Sequence, residues 1–404
     1  MKTVLAVLPL QPHSNGGGSQ KRAAAHLAAL TAVARVHLVV IDLETTAVVS
    51  SEQHLLSRCA SVSLVRYQRR PLQPLARVPP FAIIAEYFNP AMQRMRPPTD
   101  LLREAFAYVA GQHVDIVLCY RLWTATIFDY ARSVVSIGVG KRIVDFDDID
   151  SLASKRASAF ERLGVEQFLI EWLVRRRLRR AEDYYLRNYD AVWVCSDKDR
   201  TVLQSRRPAA AVHAVPNGIP LMDRAPPRHG NSVVRLLFVG KLSYGPNHDG
   251  IVWFCRDILP LIRAASPHRV GLTIVGYNPP AAVKALDRQD EIIVIGAADS
   301  LASYYYESDV VVVPVRYGSG TRIKILEAMS YERPVVSTSL GAEGIDVTPG
   351  KDIAIGDGPS EFASLCVELI QDCRRRERMA REGRRLVEEK YNELAVAAII
   401  GQLI

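Results

Sequence analysis

Cysteine is sparse in this chain and is nowhere paired. Cys59, Cys119, Cys195, Cys255, Cys366 and Cys373 are scattered over 404 residues with no C-x-x-C. This argues against a zinc site or a redox dithiol and for reduced thiols in a cytosol, most of them small core fillers. No run of 18 apolar residues occurs, which argues against a spanning helix and leaves peripheral contact as the only expected membrane association. The opening MKTVLAVLPL has the lysine and short apolar run of a leader, yet no small-residue cleavage site precedes SNGGGSQKR. A buried first strand is the favoured reading. The G-x-G-x-x-G fingerprint is missing, and no acid clearly takes the ribose role, so a dehydrogenase is disfavoured. Neither zinc-finger spacing nor a basic motif interleaved with aromatics points to nucleic acid.

What is present is an ordinary globular composition, 49% hydrophobic and 23% charged, long enough for two domains. The net charge of +8 is uneven. Residues 1–230 carry 31 Lys and Arg against 21 Asp and Glu, and residues 231–404 carry 20 against 22. Such asymmetry suits a first half that meets something anionic.

Apolar runs recur between helical patterns: TVLAVLPL, VHLVVIDL, VDIVLCY, RIVDF, AVWVCS and VHAVP, then VRLLFVG, GLTIVG, IIVIG, DVVVVPV, RPVVSTS and DIAIGD. Runs that are apolar throughout belong to parallel strands buried on both faces. The fold expected is therefore α/β, two doubly wound Rossmann-like domains facing across a cleft. The first spans 1–220 and the second 233–385; a linker at 221–232 lies within the Pro- and Gly-rich PNGIPLMDRAPPRHGNS, and a C-terminal helix over 386–404 can pack back on the first domain.

Ligands of open parallel sheets bind beyond the carboxyl ends of the strands, so the loops there are the candidate site. Gly16, Gly17 and Gly18 precede a helix and would let backbone approach a phosphate, though a plain turn fits as well. Lys241 follows a strand end at Gly240, where its ammonium can hold a phosphate as a point charge. Gly276 and Gly296 close two more strands and suit backbone contact with a base or ribose. In RYGSGTRIKILEAM, the glycines permit a tight turn, Thr321 can cap or begin a helix, and the amides of Gly320 to Arg322 would point at an anion. Lys324 and Glu327 share a helix face, where a simple ion pair is the bland alternative.

The stretch GSGTRIKILEAMSYERPVVSTSLGAEGI resembles the donor-site signature of the GT4 family of retaining glycosyltransferases, which have the GT-B fold. The resemblance continues through PHSNGGGSQKR, AVWVCSDKDR, AVPNGI and FVGKLSYGPNHDG, and is most specific from Val234 to Ile345. It implies a nucleoside diphosphate sugar as co-substrate, held mainly by the second domain, and a saccharide or lipid-linked saccharide acceptor held mainly by the first. It implies no metal and no cofactor. By position, Glu327 binds the ribose hydroxyls, Lys241 is the cation on the phosphates, and Gly16 and Gly17 form the loop that approaches them. Two positions depart from the pattern. Ser319 stands where the family has a Glu against the sugar, and Pro246 where a second phosphate-binding Lys is usual; Arg322 or Lys324 can make up the missing charge.

DFDDID offers a metal site on Asp145, Asp147 and Asp148, since hard carboxylates suit magnesium or manganese. The favoured alternative places the cluster at a strand end facing the cleft, with Asp147 in place of a sugar-contacting His of many relatives. EWLVRRRLRRAEDYYLRNYD reads as a solvated helix face or as a dock for an anionic membrane surface. The expectation is a cytoplasmic, metal-independent hexosyltransferase, soluble or peripheral on the inner membrane face. Its catalysis would rest on electrostatic stabilisation of the departing diphosphate by Lys241, helix-terminal amides and Arg322, with Glu327 and Asp147 completing the site. A catalytically silent nucleotide-sugar binder and a nucleotide-sugar epimerase are the alternatives.

Overall fold

The apolar runs pair as parallel strands. A computed structural model of the chain describes residues 1–13, 16–42, 52–66, 97–160, 164–226, 233–288 and 291–404. Thirteen strands among these residues form two sheets. The first comprises β1 Thr3–Leu8, β2 Arg35–Asp42, β3 Ser61–Arg66, β4 His113–Tyr120, β5 Gly138–Asp145, β6 Ala191–Val194 and β7 Val212–Ala214, in the order β3-β2-β1-β4-β5-β6-β7. The second comprises β8 Val233–Val239, β9 Arg269–Val275, β10 Ile292–Ile295, β11 Val310–Val313, β12 Val335–Ser337 and β13 Ala354–Ile355, in the order β10-β9-β8-β11-β12-β13. Strand order reverses between β1 and β4 and again between β8 and β11. Those are the switch points where loops diverge and leave a crevice.

Strand alternation explains why whole runs had to be apolar. In β1, Leu5 and Val7 join one core cluster while Val4, Ala6 and Leu8 join the one across the sheet. In β11, Val310 and Val312 face one way and Val311 and Val313 the other. One strand, β3, was not among the expected ones. Among the described residues it pairs only with β2, at the sheet edge, and of SVSLVR only Val65 is buried. An edge strand with one solvated face lacks the continuous apolar signal of its neighbours.

The chain divides into two compact units, 1–218 with 396–404, and 219–395. The expected linker, 221–232, is described to residue 226, and that part is bound to the second unit. Met222 N donates to Ser330 Oγ (2.8 Å) and Ala225 N to the Tyr331 carbonyl (3.0 Å). The stretch expected as one C-terminal helix is broken: a π-helical turn at Val387–Tyr391 stays with the second unit, and the helix Glu393–Leu403 sends Val396 and Ile400 into the core over the first sheet. Lys141 Nζ donates to the Leu403 carbonyl (3.0 Å).

Candidate functional site

In the second unit, β8 ends at Val239 and the chain bends at Gly240, whose amide donates to the Val275 carbonyl (3.0 Å). Gly276 follows β9 against it. A Cβ on Gly276 would sit 1.8 Å from the Gly240 carbonyl oxygen, so no other residue fits. Its amide donates to the Ile295 and Gly296 carbonyls, both at 3.2 Å. Close packing of two strand ends thus accounts for Gly276 without the base or ribose contact read from its position. Around Gly296 a Cβ would meet nothing within 4 Å.

The loop after β11 turns through Gly318 (φ 104°) and Gly320 (φ 77°), conformations that favour glycine. Arg322 holds this loop. Its Nη1 donates to the carbonyls of Ser319 and Gly320, the second at 2.6 Å. Arg322, expected to stabilise the diphosphate, is 8% exposed and clamps the turn. The helix is Ile323–Ser330 and its cap residue is Arg322; Thr321 caps nothing, and its buried hydroxyl has no hydrogen-bond partner.

Lys324, the second residue of that helix, lies against the end of β8. Its Nζ donates to Asn247 Oδ1 (2.6 Å) and stands 4.5 Å from the Phe238 ring centroid. A Cβ on Gly240 would approach that nitrogen to 2.6 Å. Asn247 Nδ2 in turn donates to the Lys241 carbonyl (2.9 Å), so one amide ties the exposed Lys241 to Lys324. Pro246 occupies the first turn of the helix Gly245–Trp253, immediately before Asn247. Burial lowers the Lys324 ammonium to about 7, with the Arg322 charge adding to the effect and Glu327 opposing it. Lys324 is directed at Asn247 rather than into a simple pair with Glu327. Glu327 itself is 6% exposed, and its charge helps push the buried Tyr305 hydroxyl up after burial has done most of that.

In the first unit, the glycine loop is bonded to itself. Gly16 N donates to the His13 carbonyl (3.1 Å) and Gly17 N to Gln20 Oε1 (3.0 Å), and the helix starts at Gly18. Beneath that helix runs a buried charge network. Arg22 donates from Nε and Nη2 to the two oxygens of Asp145 (3.0 and 2.9 Å) and from Nη1 to the Val215 carbonyl (2.8 Å) and Asn217 Oδ1 (3.0 Å). Asp147, with a positive φ of 56°, accepts from Ser19 Oγ (2.8 Å) and lies 3.3 Å from Arg121 Nε. Burial raises its carboxyl, but Arg121 and Arg22 together draw it below the usual carboxylate range. The DFDDID carboxylates therefore meet arginines. Among the described residues, no group of three His, Cys, Asp or Glu side chains is placed to hold a metal ion.

Residues 234–372 match the family described as Glycosyl transferases group 1. The second unit carries a group 1 glycosyltransferase domain. The fold of the whole chain is that of solved GT-B glycosyltransferases. It is similar to sucrose-phosphate synthase from Thermosynechococcus elongatus, at 18% identity over 100% of this chain and 98% of that one with a TM-score of 0.71. It is also similar to Anabaena HepE in complex with UDP and glucose, at 13% identity over 99% and 98% with a TM-score of 0.64. A Klebsiella pneumoniae protein described as an uncharacterized 44.6 kDa protein in the cps region is 26% identical over 173 residues, 41% of this chain; the match spans 44% of that relative's length.

Sequence reasoning missed Asn247, the residue that joins Lys241 to Lys324, and in the first unit Arg22, Arg121 and Asp150. Arg121 had a signal. It directly follows the apolar strand β4, as Lys241 follows β8 by one residue, and it takes a φ of 70°. Strained backbone of this kind is uncommon outside functional or over-determined sites. Arg121 Nη2 donates to Ser19 Oγ (3.0 Å), and its Nη1 lies 3.7 Å from Asp150. Burial raises the Asp150 carboxyl to about 7, against the pull of Arg121. No described helix of the chain is long and apolar enough to cross a membrane.

Proposed function

We propose that the protein is a retaining, metal-independent glycosyltransferase that moves a hexosyl group from a uridine diphosphate sugar to a saccharide or lipid-linked saccharide. The observation that carries the reading is the pair Lys241 and Lys324, joined through Asn247 at the end of β8. An ammonium with one carboxamide partner, taken largely out of water and only partly offset by the Glu327 charge, is short of counter-charge, and an incoming diphosphate supplies it. Lys324 then provides, from the helix Ile323–Ser330, the cation that the family pattern would place at Pro246.

Departure of the sugar from its diphosphate concentrates negative charge on the leaving oxygens. Fixed cations in a partly dry site stabilise that charge more in the transition state than in the ground state. Lys241 and Lys324 do this directly. Arg322 keeps the Gly318–Gly320 turn in shape, and Glu327 orients the nucleoside through its ribose. UDP as the carrier is supported by the HepE complexes with UDP and glucose, a protein of the same fold.

Isothermal titration with UDP, ADP and GDP, followed by UDP-glucose with and without a saccharide acceptor, tests this. UDP binding and slow release of glucose from UDP-glucose are expected. No heat with any nucleotide would overturn the reading.

A further inference from the structure

The helix Val165–Asn188 has one face that the fold covers and one that the described residues leave bare. On the covered face, Tyr185, Leu186 and Tyr189 lie in the core with Leu178 and Ala181 against it. Glu182 accepts from Ser151 N and Oγ (2.8 and 2.7 Å), and Glu171 from Ser154 Oγ (3.2 Å), which turns both carboxylates toward the neighbouring helix Asp150–Phe160.

The opposite face begins with Val165, Phe168, Leu169 and Trp172, which are 81, 51, 44 and 38% exposed. Their spacing of three, four and seven residues makes a single stripe. Later turns of the same stripe carry Arg176, Arg179 and Arg180, all exposed. The Arg176 guanidinium stands 5.2 Å from the Trp172 ring centroid, where the two halves of the stripe meet. Four large apolar side chains in a row on a solvent face are uncommon on a soluble surface and mark a contact.

We propose that this stripe docks the first unit on an anionic lipid bilayer, the apolar half entering the headgroup and acyl boundary and the arginines holding lipid phosphates. Charge and order along the stripe select this occupant. A bilayer presents an apolar layer next to a layer of anions, and Trp is suited to the boundary between them. A second copy set antiparallel would lay arginines over Phe168 and Trp172 and leave their charge without counter-ions. The excess of basic residues in 1–230 adds attraction of the same sign. The inference stands independently of the donor site.

The test is sedimentation of the full chain with phosphatidylglycerol vesicles and with phosphatidylcholine vesicles. Binding to phosphatidylglycerol, weakened by salt, is expected. Arg176→Gln, Arg179→Gln and Arg180→Gln together should weaken it about a hundredfold, at about fivefold per cation. Phe168→Gln with Leu169→Gln should weaken it at least tenfold and abolish the blue shift and brominated-lipid quenching of Trp172 fluorescence. All five side chains are exposed, so melting curves of the variants should overlay the parent. No binding to phosphatidylglycerol, or binding unchanged in both variants, would overturn the proposal. So would a concentration-dependent dimer that the Phe168 and Leu169 changes abolish, which would assign the face to a second copy.

Discussion

Arg22 and Asp145 form a two-pronged ion pair, 3.0 and 2.9 Å, in which neither partner is more than 1% exposed. The pair holds the first turns of the helix Gly18–Val33 onto the end of β5. Removing one partner leaves the other charge buried and uncompensated, which costs on the order of 3–5 kcal/mol. Arg22→Met should therefore lower the unfolding free energy of the first unit by about that amount in a urea titration followed by far-UV circular dichroism, and Arg22→Lys, which lacks the fork, should recover only part. A loss below 1 kcal/mol would show that the pair is not a stability determinant.

Lys324 gives the second unit a signed pH dependence. Its folded value of about 7 lies below that of a free lysine, so between about 7 and about 10.4 the unfolded chain binds more protons than the folded one. Its destabilising effect is fully present below pH 7 and is relieved as pH rises through that window. Lys324→Met should flatten the rise in melting temperature between pH 7 and pH 9, and it should weaken UDP binding at pH 7.

Glu327→Gln separates a ribose contact from a structural one. A carboxylate accepting hydroxyls makes charge-assisted bonds at roughly 1.5–3 kcal/mol. The expected result is a UDP dissociation constant about ten- to a hundredfold higher with a small change in melting temperature. Unchanged affinity would remove Glu327 from the donor site.

Gly276→Ala adds a methyl 1.8 Å from the Gly240 carbonyl. Overpacking of this kind costs typically 1–3 kcal/mol. Because the strained contact is one residue from Lys241, the variant should lose both melting temperature and UDP affinity, measured on the same preparation. Gly296→Ala, with open space around it, should leave the melting temperature unchanged.

Chelation bears on the metal-independent reading. On the proposed reading, with Lys241 and Lys324 as the cations, EDTA should leave transfer activity within about twofold of that of the untreated protein. Loss of activity restored by manganese would turn attention back to Asp145, Asp147 and Asp148.

Twelve of the thirteen strands were legible in the sequence, because a parallel strand buried on both faces has no polar positions and announces itself as an unbroken apolar run. β3 escaped because five of its six side chains are not fully buried, and alternation over so few residues is a weak signal. Lys241 and the Gly318–Gly320 turn were equally legible, since a cation just after a strand and glycines before a helix are local patterns. The task of each charge was decided only by the tertiary structure. Asn247 meets Lys324 across 77 positions and Arg22 meets Asp145 across 123, separations set by which strands the sheet order makes neighbours. The sequence did not show that the turn folds its own carbonyls around Arg322. A guanidinium or carboxylate beside a core requires partners, and its sequence neighbours state the requirement without naming which partner the fold will bring.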